Sequence, residues 1–225
     1  MSDLGRQTLS GLGKFIAALA LFLFAPAWTL HFWQAWVYLL VFAASSGLIT
    51  LYLWKRDRAL LERRINAGPA AESRRSQRAI QVVASIAFIG TLIVPSIDHR
   101  FAWSDVPLPV VIAGEMMVVA GFAVILLVFR ENTFTAGTIE VAEGQTVIST
   151  GPYAHVRHPM YSGALIMLLG TPLALGSWWG LSTFVPMTCA IVWRLLDEEE
   201  FLSANLQGYS KYRADVRYRL LPLVW

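Results

Sequence analysis

Between Gly151 and Gly163 the chain reads GPYAHVRHPMYSG, which brings Tyr153, His155, Arg157, His158 and Tyr161 close together in a strongly apolar chain. A guanidinium such as that of Arg157 is a two-pronged donor suited to a carboxylate. Tyrosine rings offer π faces to a cation or a flat ring. A second polar cluster, Arg194 with Asp197, Glu198, Glu199 and Glu200, follows the last apolar segment. Its carboxylates suit an ammonium or hydroxyl groups, and one of them could take up a proton during a reaction. Each cluster has an ordinary explanation. Arg157 and His158 would serve as an interfacial anchor, and Arg194 with Glu198 as a helix-surface ion pair worth ~0.3–0.5 kcal/mol. The acid run would serve as a solvated face. Both clusters fall on one predicted membrane face, so the expectation is that they meet there and build one site.

What must position them is a set of membrane helices. Apolar residues make up 56% of the chain and charged residues 15%, against roughly 25% charged in soluble domains. The chain therefore reads as an integral membrane protein, an all-α polytopic bundle with about six membrane segments and a C-terminal amphipathic helix. The expected spans are 12–31, 35–54, 79–97, 107–129, 160–175 and 181–196, since a bilayer core takes ~20 apolar residues as helix. Residues 1–12 read as polar and frayed. The first apolar run is too long for a cleavable signal. Trp28, Phe32, Trp33 and Trp36 surround a tight hairpin at 31–34, as aromatics do at a membrane boundary. The fifth segment is interrupted at Gly170-Thr171-Pro172, and Gly176 to Gly180 reads as an interfacial turn.

Residues 55–78 form a basic loop, with Gly68-Pro69 breaking any helix inside it. Its arginines place it in the cytoplasm by the positive-inside rule, and with it both termini. Anionic headgroups of membrane lipids are a second use for the same charges. Leu202, Leu206, Tyr209, Tyr212, Val216 and Leu220 recur at helical spacing, so the tail reads as an amphipathic helix weakened at Gly208 and ended by Pro222, expected to lie along the cytosolic surface or cover the site. This divides the chain into N-terminal membrane helices, 1–106, and a region 107–225 that carries the site. Glu115 sits at membrane depth, where an acid is a functional candidate by default. The plainer expectation is that it lies near the outer end and reaches water or a neighbouring helix.

Several functions are excluded. There is no GxGxxG after a strand and no GxxxxGK[ST] phosphate loop. His31, His99, His155 and His158 fall in connections or at span ends, not facing one another inside a bundle as a haem would require. His155 and His158 lack the HEXXH context, so no metal site is expected. The lone Cys189 rules out an internal disulfide or a CxxC pair and reads as a packed small hydrophobe. The basic loop lacks interleaved aromatics and lies against a membrane, so no nucleic-acid partner is expected.

The run Gly151-Pro152-Tyr153 through Arg157-His158-Pro159-Met160-Tyr161-x-Gly163, then Arg194, Glu198-Glu199-x-x-Leu202, Tyr209-x-x-Tyr212 and Leu221-Pro222, resembles the isoprenylcysteine carboxyl methyltransferase family. The related phospholipid N-methyltransferases share much of the pattern. The resemblance covers about residues 132–225. It implies S-adenosylmethionine as methyl donor. It further implies that Gln145, Thr146, Val147, Ile148 and Tyr153 line the cofactor pocket and that His158, Pro159, Met160 and Tyr161 form its next wall. Glu198 would contact the cofactor and Arg194 would face the substrate. Position 145 is Gln where some members carry His.

The residue chemistry suits such a donor, which carries a sulfonium, an ammonium and a carboxylate. Glu198 or Glu199 fits the ammonium or ribose, Arg157 the carboxylate, and Tyr153 and Tyr161 the adenine or the sulfonium. Methyl transfer depends chiefly on alignment of acceptor and methyl group. A carboxylate acceptor needs no base and Arg194 could hold it, whereas an amine would need one, with Glu199 the candidate. The expected partner is a lipophilic small-molecule or lipidated substrate arriving from the bilayer, with the cofactor arriving from the cytosol. Two rivals stand beside this reading. One is an NADPH-dependent, sterol-reductase-like oxidoreductase, and the other a non-catalytic lipid-binding membrane protein.

Overall fold

The computed structural model describes residues 3–65, 68, 70–72 and 74–225. The described residues form helices and connections and include no strand. The helices are α1 (Asp3–Ala27), α2 (Trp33–Arg56), α3 (Arg58–Ile65), α4 (Arg75–Phe101), α5 (Leu108–Glu131), α6 (Pro159–Ala174), α7 (Phe184–Asn205) and α8 (Tyr209–Asp215). Five helices are long and apolar enough to cross a membrane: α1, α2, α4, α5, and α7 taken with the 3₁₀ turn at Trp179–Thr183 before it. The expected fifth segment is α6, apolar but only 16 residues long. Large apolar side chains such as Leu21, Leu40, Leu48, Ile86, Met116 and Val185 point outward. Water would not tolerate such an exterior, and lipid does.

Several sequence expectations need correction. Helix α1 begins at Asp3, ahead of the expected span, because Gly5 and Thr8 are buried and order its first turns. The basic loop is partly helical, since it contributes α3 and the first turn of α4. Gly68 lies in the break between them at φ +94°, while its neighbour Pro69 falls outside the described residues. Pro172 does not end α6 but sits in its last turns. The tail is not one helix: α7 runs on to Asn205, the chain breaks at Gly208 with φ +85°, and α8 ends at Asp215, well before Pro222. Cys189 is exposed on α7 rather than packed. Glu115 is buried, and neither of its carboxylate oxygens has a hydrogen-bond partner among the described residues. It therefore reaches neither a polar group of a neighbouring helix nor open solvent.

The pairing that positions the site is α5 against α6. Gly114 and Gly121 on α5 face Gly170 and Gly163 on α6. A Cβ on Gly121 would lie 2.5 Å from the Gly163 carbonyl oxygen, and one on Gly170 would lie 2.6 Å from that of Gly114. Small residues at such seams let two backbones touch, which matters where lipid supplies no hydrophobic drive between helices. The seam fixes the end of α5, Glu131-Asn132, beside the start of α6, His158-Pro159. The polar clusters gather there.

Candidate active site

Each functional side chain has a local reason for its place. Pro159 opens α6, where its missing N–H is no loss and its φ suits a first turn. Ahead of it, Gly151 at φ +55° turns the chain close to the Glu131 side chain. On α7, Arg194, Glu198 and Leu202 recur every four residues and so share one face. All three line a single cavity together with Tyr153, Arg157, His158, Pro159, Met160 and Tyr161. Gln145, Thr146, Val147 and Ile148 complete one wall. The two polar clusters therefore meet, and the contact is direct. The Tyr161 hydroxyl donates to Glu198 Oε2 at 2.6 Å, and Arg194 Nε donates to that hydroxyl at 3.0 Å. Arg194 and Glu198 form no ion pair with each other among the described residues; the tyrosine stands between them.

Two acids that adjoin in sequence face different surroundings. Glu198 lies on the cavity. Glu199 does not line it and is 2% exposed, its carboxylate held by Arg157 Nε at 2.6 Å, His158 Nε2 at 3.2 Å and Arg219 Nε at 3.1 Å. Arg157 uses three of its five side-chain N–H donors away from the cavity. Its Nη1 donates to the carbonyls of Val216 and Arg217 at 2.7 and 2.8 Å, and its backbone N–H to that of Tyr218. The His158 N–H donates to Arg219 O and the Ser162 hydroxyl to Leu220 O. The last stretch of the chain is thus strapped along the start of α6. His155 is exposed and takes no part in the cavity.

The wall at 145–148 belongs to no helix or strand, and the backbone groups of Thr146, Val147 and Ile148 make no backbone hydrogen bonds among the described residues. The Gln145 side chain accepts from Ala142 N–H at 2.9 Å and so closes its own turn. Tyr153 receives Asn132 Nδ2 at 3.1 Å, and its carbonyl accepts from Tyr212 Oη at 2.8 Å. Burial raises the phenols of Tyr153, Tyr209 and Tyr212 well above the ordinary range; for Tyr153 the Asn132 hydrogen bond only partly offsets this. These hydroxyls are neutral at physiological pH.

Sequence reasoning missed part of the lining. Asn132, Thr135, Thr138 and Ile139 form a second wall. Leu206, Tyr209 and Tyr212 close the cavity from the tail, one of the two placements that the amphipathic spacing predicts. Behind these stand residues from the first half of the chain. Arg64 Nη1 donates to Ala136 O at 2.8 Å, and Glu72 and Gln77 both accept from Arg194 Nη1. A signal was present: Glu72 is one of only three acids, with Asp57 and Glu62, in the basic stretch 55–78 that leads into a span.

The charges facing the cavity can be counted. Arg157 shares Glu199 with Arg219, and Arg194 pairs with Glu72. Glu198 and the rim residue Glu140 remain as acids without an ion-pair partner among the described residues. Such a cavity offers carboxylates to a cationic group and tyrosine faces to an aromatic one.

No curated protein matches the chain. Residues 109–208, from the first turn of α5 to Gly208, match the family model for phospholipid methyltransferase, a match that takes in both polar clusters and indicates a membrane methyltransferase.

Proposed function

We propose that the protein transfers a methyl group from S-adenosylmethionine to a lipophilic acceptor, with a carboxylate as the receiving group, at the cytosolic face of a membrane. The observation that carries this reading is the Tyr161–Glu198 hydrogen bond, 2.6 Å long, on the wall of a cavity that both polar clusters line. The donor set fits the cofactor: two carboxylates without an ion-pair partner among the described residues, tyrosine faces and a stretch of backbone with unused polar groups. When bound, the cofactor supplies an electrophilic methyl on a sulfonium.

This chain's residues bind and orient. Glu198 keeps one carboxylate oxygen on Tyr161 and offers the other to the ammonium or to ribose hydroxyls. Thr146, Val147 and Ile148 offer backbone donors and acceptors to the adenine edge, with Gln145 holding their turn and Tyr153 beside them. His158, Pro159, Met160 and Tyr161 form the facing wall. Arg157 anchors the tail through its Nε and Nη1, which leaves only its Nη2 for the cofactor carboxylate. Glu199 is reassigned from base to anchor of Arg157 and His158.

That reassignment bears on the acceptor. A carboxylate needs no base, and Arg194 retains one of its five N–H donors for it, the second on Nη2. The second reading, methylation of a phospholipid headgroup amine, is favoured by the family match. It needs a proton acceptor, and Glu199 is enclosed by cations, which leaves Glu198 or Glu140. The basic stretch supports a cytosolic orientation of the site and of both termini.

The test uses the purified protein in lipid nanodiscs with methyl-labelled S-adenosylmethionine. Two acceptors are offered, an N-acetyl-S-prenylcysteine and phosphatidylethanolamine. Label in the prenylcysteine that alkali releases as methanol is the expected result. Alkali-stable label in the lipid would replace the carboxylate by the amine, and transfer to neither, with no binding of S-adenosylhomocysteine, would refute methyl transfer.

A further inference from the structure

One acid links the first half of the chain to the cavity. Glu72 lies between α3 and α4, is 1% exposed, and accepts from Arg194 Nη1 at 3.0 Å, Gln81 Nε2 at 3.2 Å and the Ile139 N–H at 3.4 Å. A carboxylate this deeply buried is tolerated only when paired and hydrogen-bonded. Its partner is the arginine whose Nε donates to Tyr161. Because that bond occupies a lone pair of the hydroxyl, the hydroxyl's own proton goes to Glu198 Oε2. Without Glu72, the acids one turn along Arg194's own helix are Asp197, already held by Arg74 and Gln77, and Glu198, four residues on, at the spacing where opposite charges pair. Arg194 would then quench the one acid of α7 that faces the cavity.

The geometry points to Glu72 as a positioning residue that holds Arg194 away from Glu198 and, through Tyr161, keeps one oxygen of Glu198 free for a cationic group of the ligand. The segment before α4 is therefore part of the site. Gln77 on the first turn of α4 supports the same guanidinium, accepting from Arg194 Nη1 at 2.9 Å. The inference rests on the reading that this cavity takes the methyl donor.

The experiment measures S-adenosylhomocysteine binding by calorimetry on the full-length protein. Glu72→Ala is expected to weaken binding by roughly tenfold, a coupling of the size seen between residues of one charge network. Adding Arg194→Met removes the stray cation and should restore most of the affinity. Where Glu72→Ala does not fold, Glu72→Gln carries the test: it keeps an acceptor for Arg194 but loses the charge, and should show a smaller loss that Arg194→Met also reverses. Wild-type affinity in Glu72→Ala and Glu72→Gln, or a loss that Arg194→Met does not relieve, would overturn the positioning role alone. A wild-type protein that binds no S-adenosylhomocysteine would overturn the methyltransferase reading beneath it and the positioning role together.

Discussion

Glu198 and Glu199 are neighbours with opposite circumstances. On a helix they point about 100° apart, so one faces the cavity while the other is enclosed by Arg157, His158 and Arg219. In the sequence they are two members of a run of four acids, and nothing local separates an acid that meets ligand from one that anchors the tail. Replacing Glu198 or His158 by alanine is expected to weaken S-adenosylhomocysteine binding about 10- to 100-fold, the worth of one or two bonds to a charged group. Glu115→Ala should leave that affinity unchanged in the same calorimetric titration, because Glu115 lies outside the cavity. The tyrosines set a pH limit. Burial raises Tyr153 and Tyr212 in the folded state, so their contribution to stability is complete below the unfolded pKa of about 10 and is lost as pH rises beyond it. Tyrosinate absorbance for these two rings should appear only with unfolding. Its appearance near pH 10 in folded protein would contradict their burial.

Among the elements, the α5–α6 pair decides whether the clusters meet. Both apolar segments were legible from hydropathy, but their seam was not, because a glycine that permits close approach looks like one that breaks a helix. Gly170-Thr171-Pro172 was read as an interruption, and it is a contact. A Cβ on Gly163 would lie 2.9 Å from the Gly121 carbonyl oxygen, whereas one on Gly47 would meet nothing within 4 Å. Gly163→Leu should therefore lower stability by the ~1–3 kcal/mol or more of an overpacked interface and weaken ligand binding with it, and Gly47→Ala should do neither. Thermal unfolding in detergent checks both. The tail is a second case. Its apolar spacing was legible because Leu206, Tyr209 and Tyr212 do pack together, and Gly208 was legible as a weak point but not as a full break, since that depends on how α7 ends. The cavity they close measures about 130 Å³, below the roughly 300 Å³ at which ligand pockets begin. Binding should therefore move residues 206–212 outward, read as a change in hydrogen exchange confined to that stretch and to 145–148. Unchanged exchange there on saturation would argue for a ligand seated elsewhere.

For the molecule as a whole, the sequence separated membrane helices from a chemical region, and the family match covers only the latter. The structure joins the two. Arg63 and Arg64 hold the 132–136 wall and Glu72 and Gln77 hold Arg194, so the basic stretch serves the site as well as the topology. These contacts span more than fifty residues of separation, and no local pattern encodes them. The central claim is that the gathered clusters form a cavity for a sulfonium donor. The measurement that tests it most directly is calorimetric titration of the purified protein with S-adenosylhomocysteine and, separately, NADPH. Binding of S-adenosylhomocysteine with no heat from NADPH is the predicted result; binding of NADPH alone, or of neither, would contradict it.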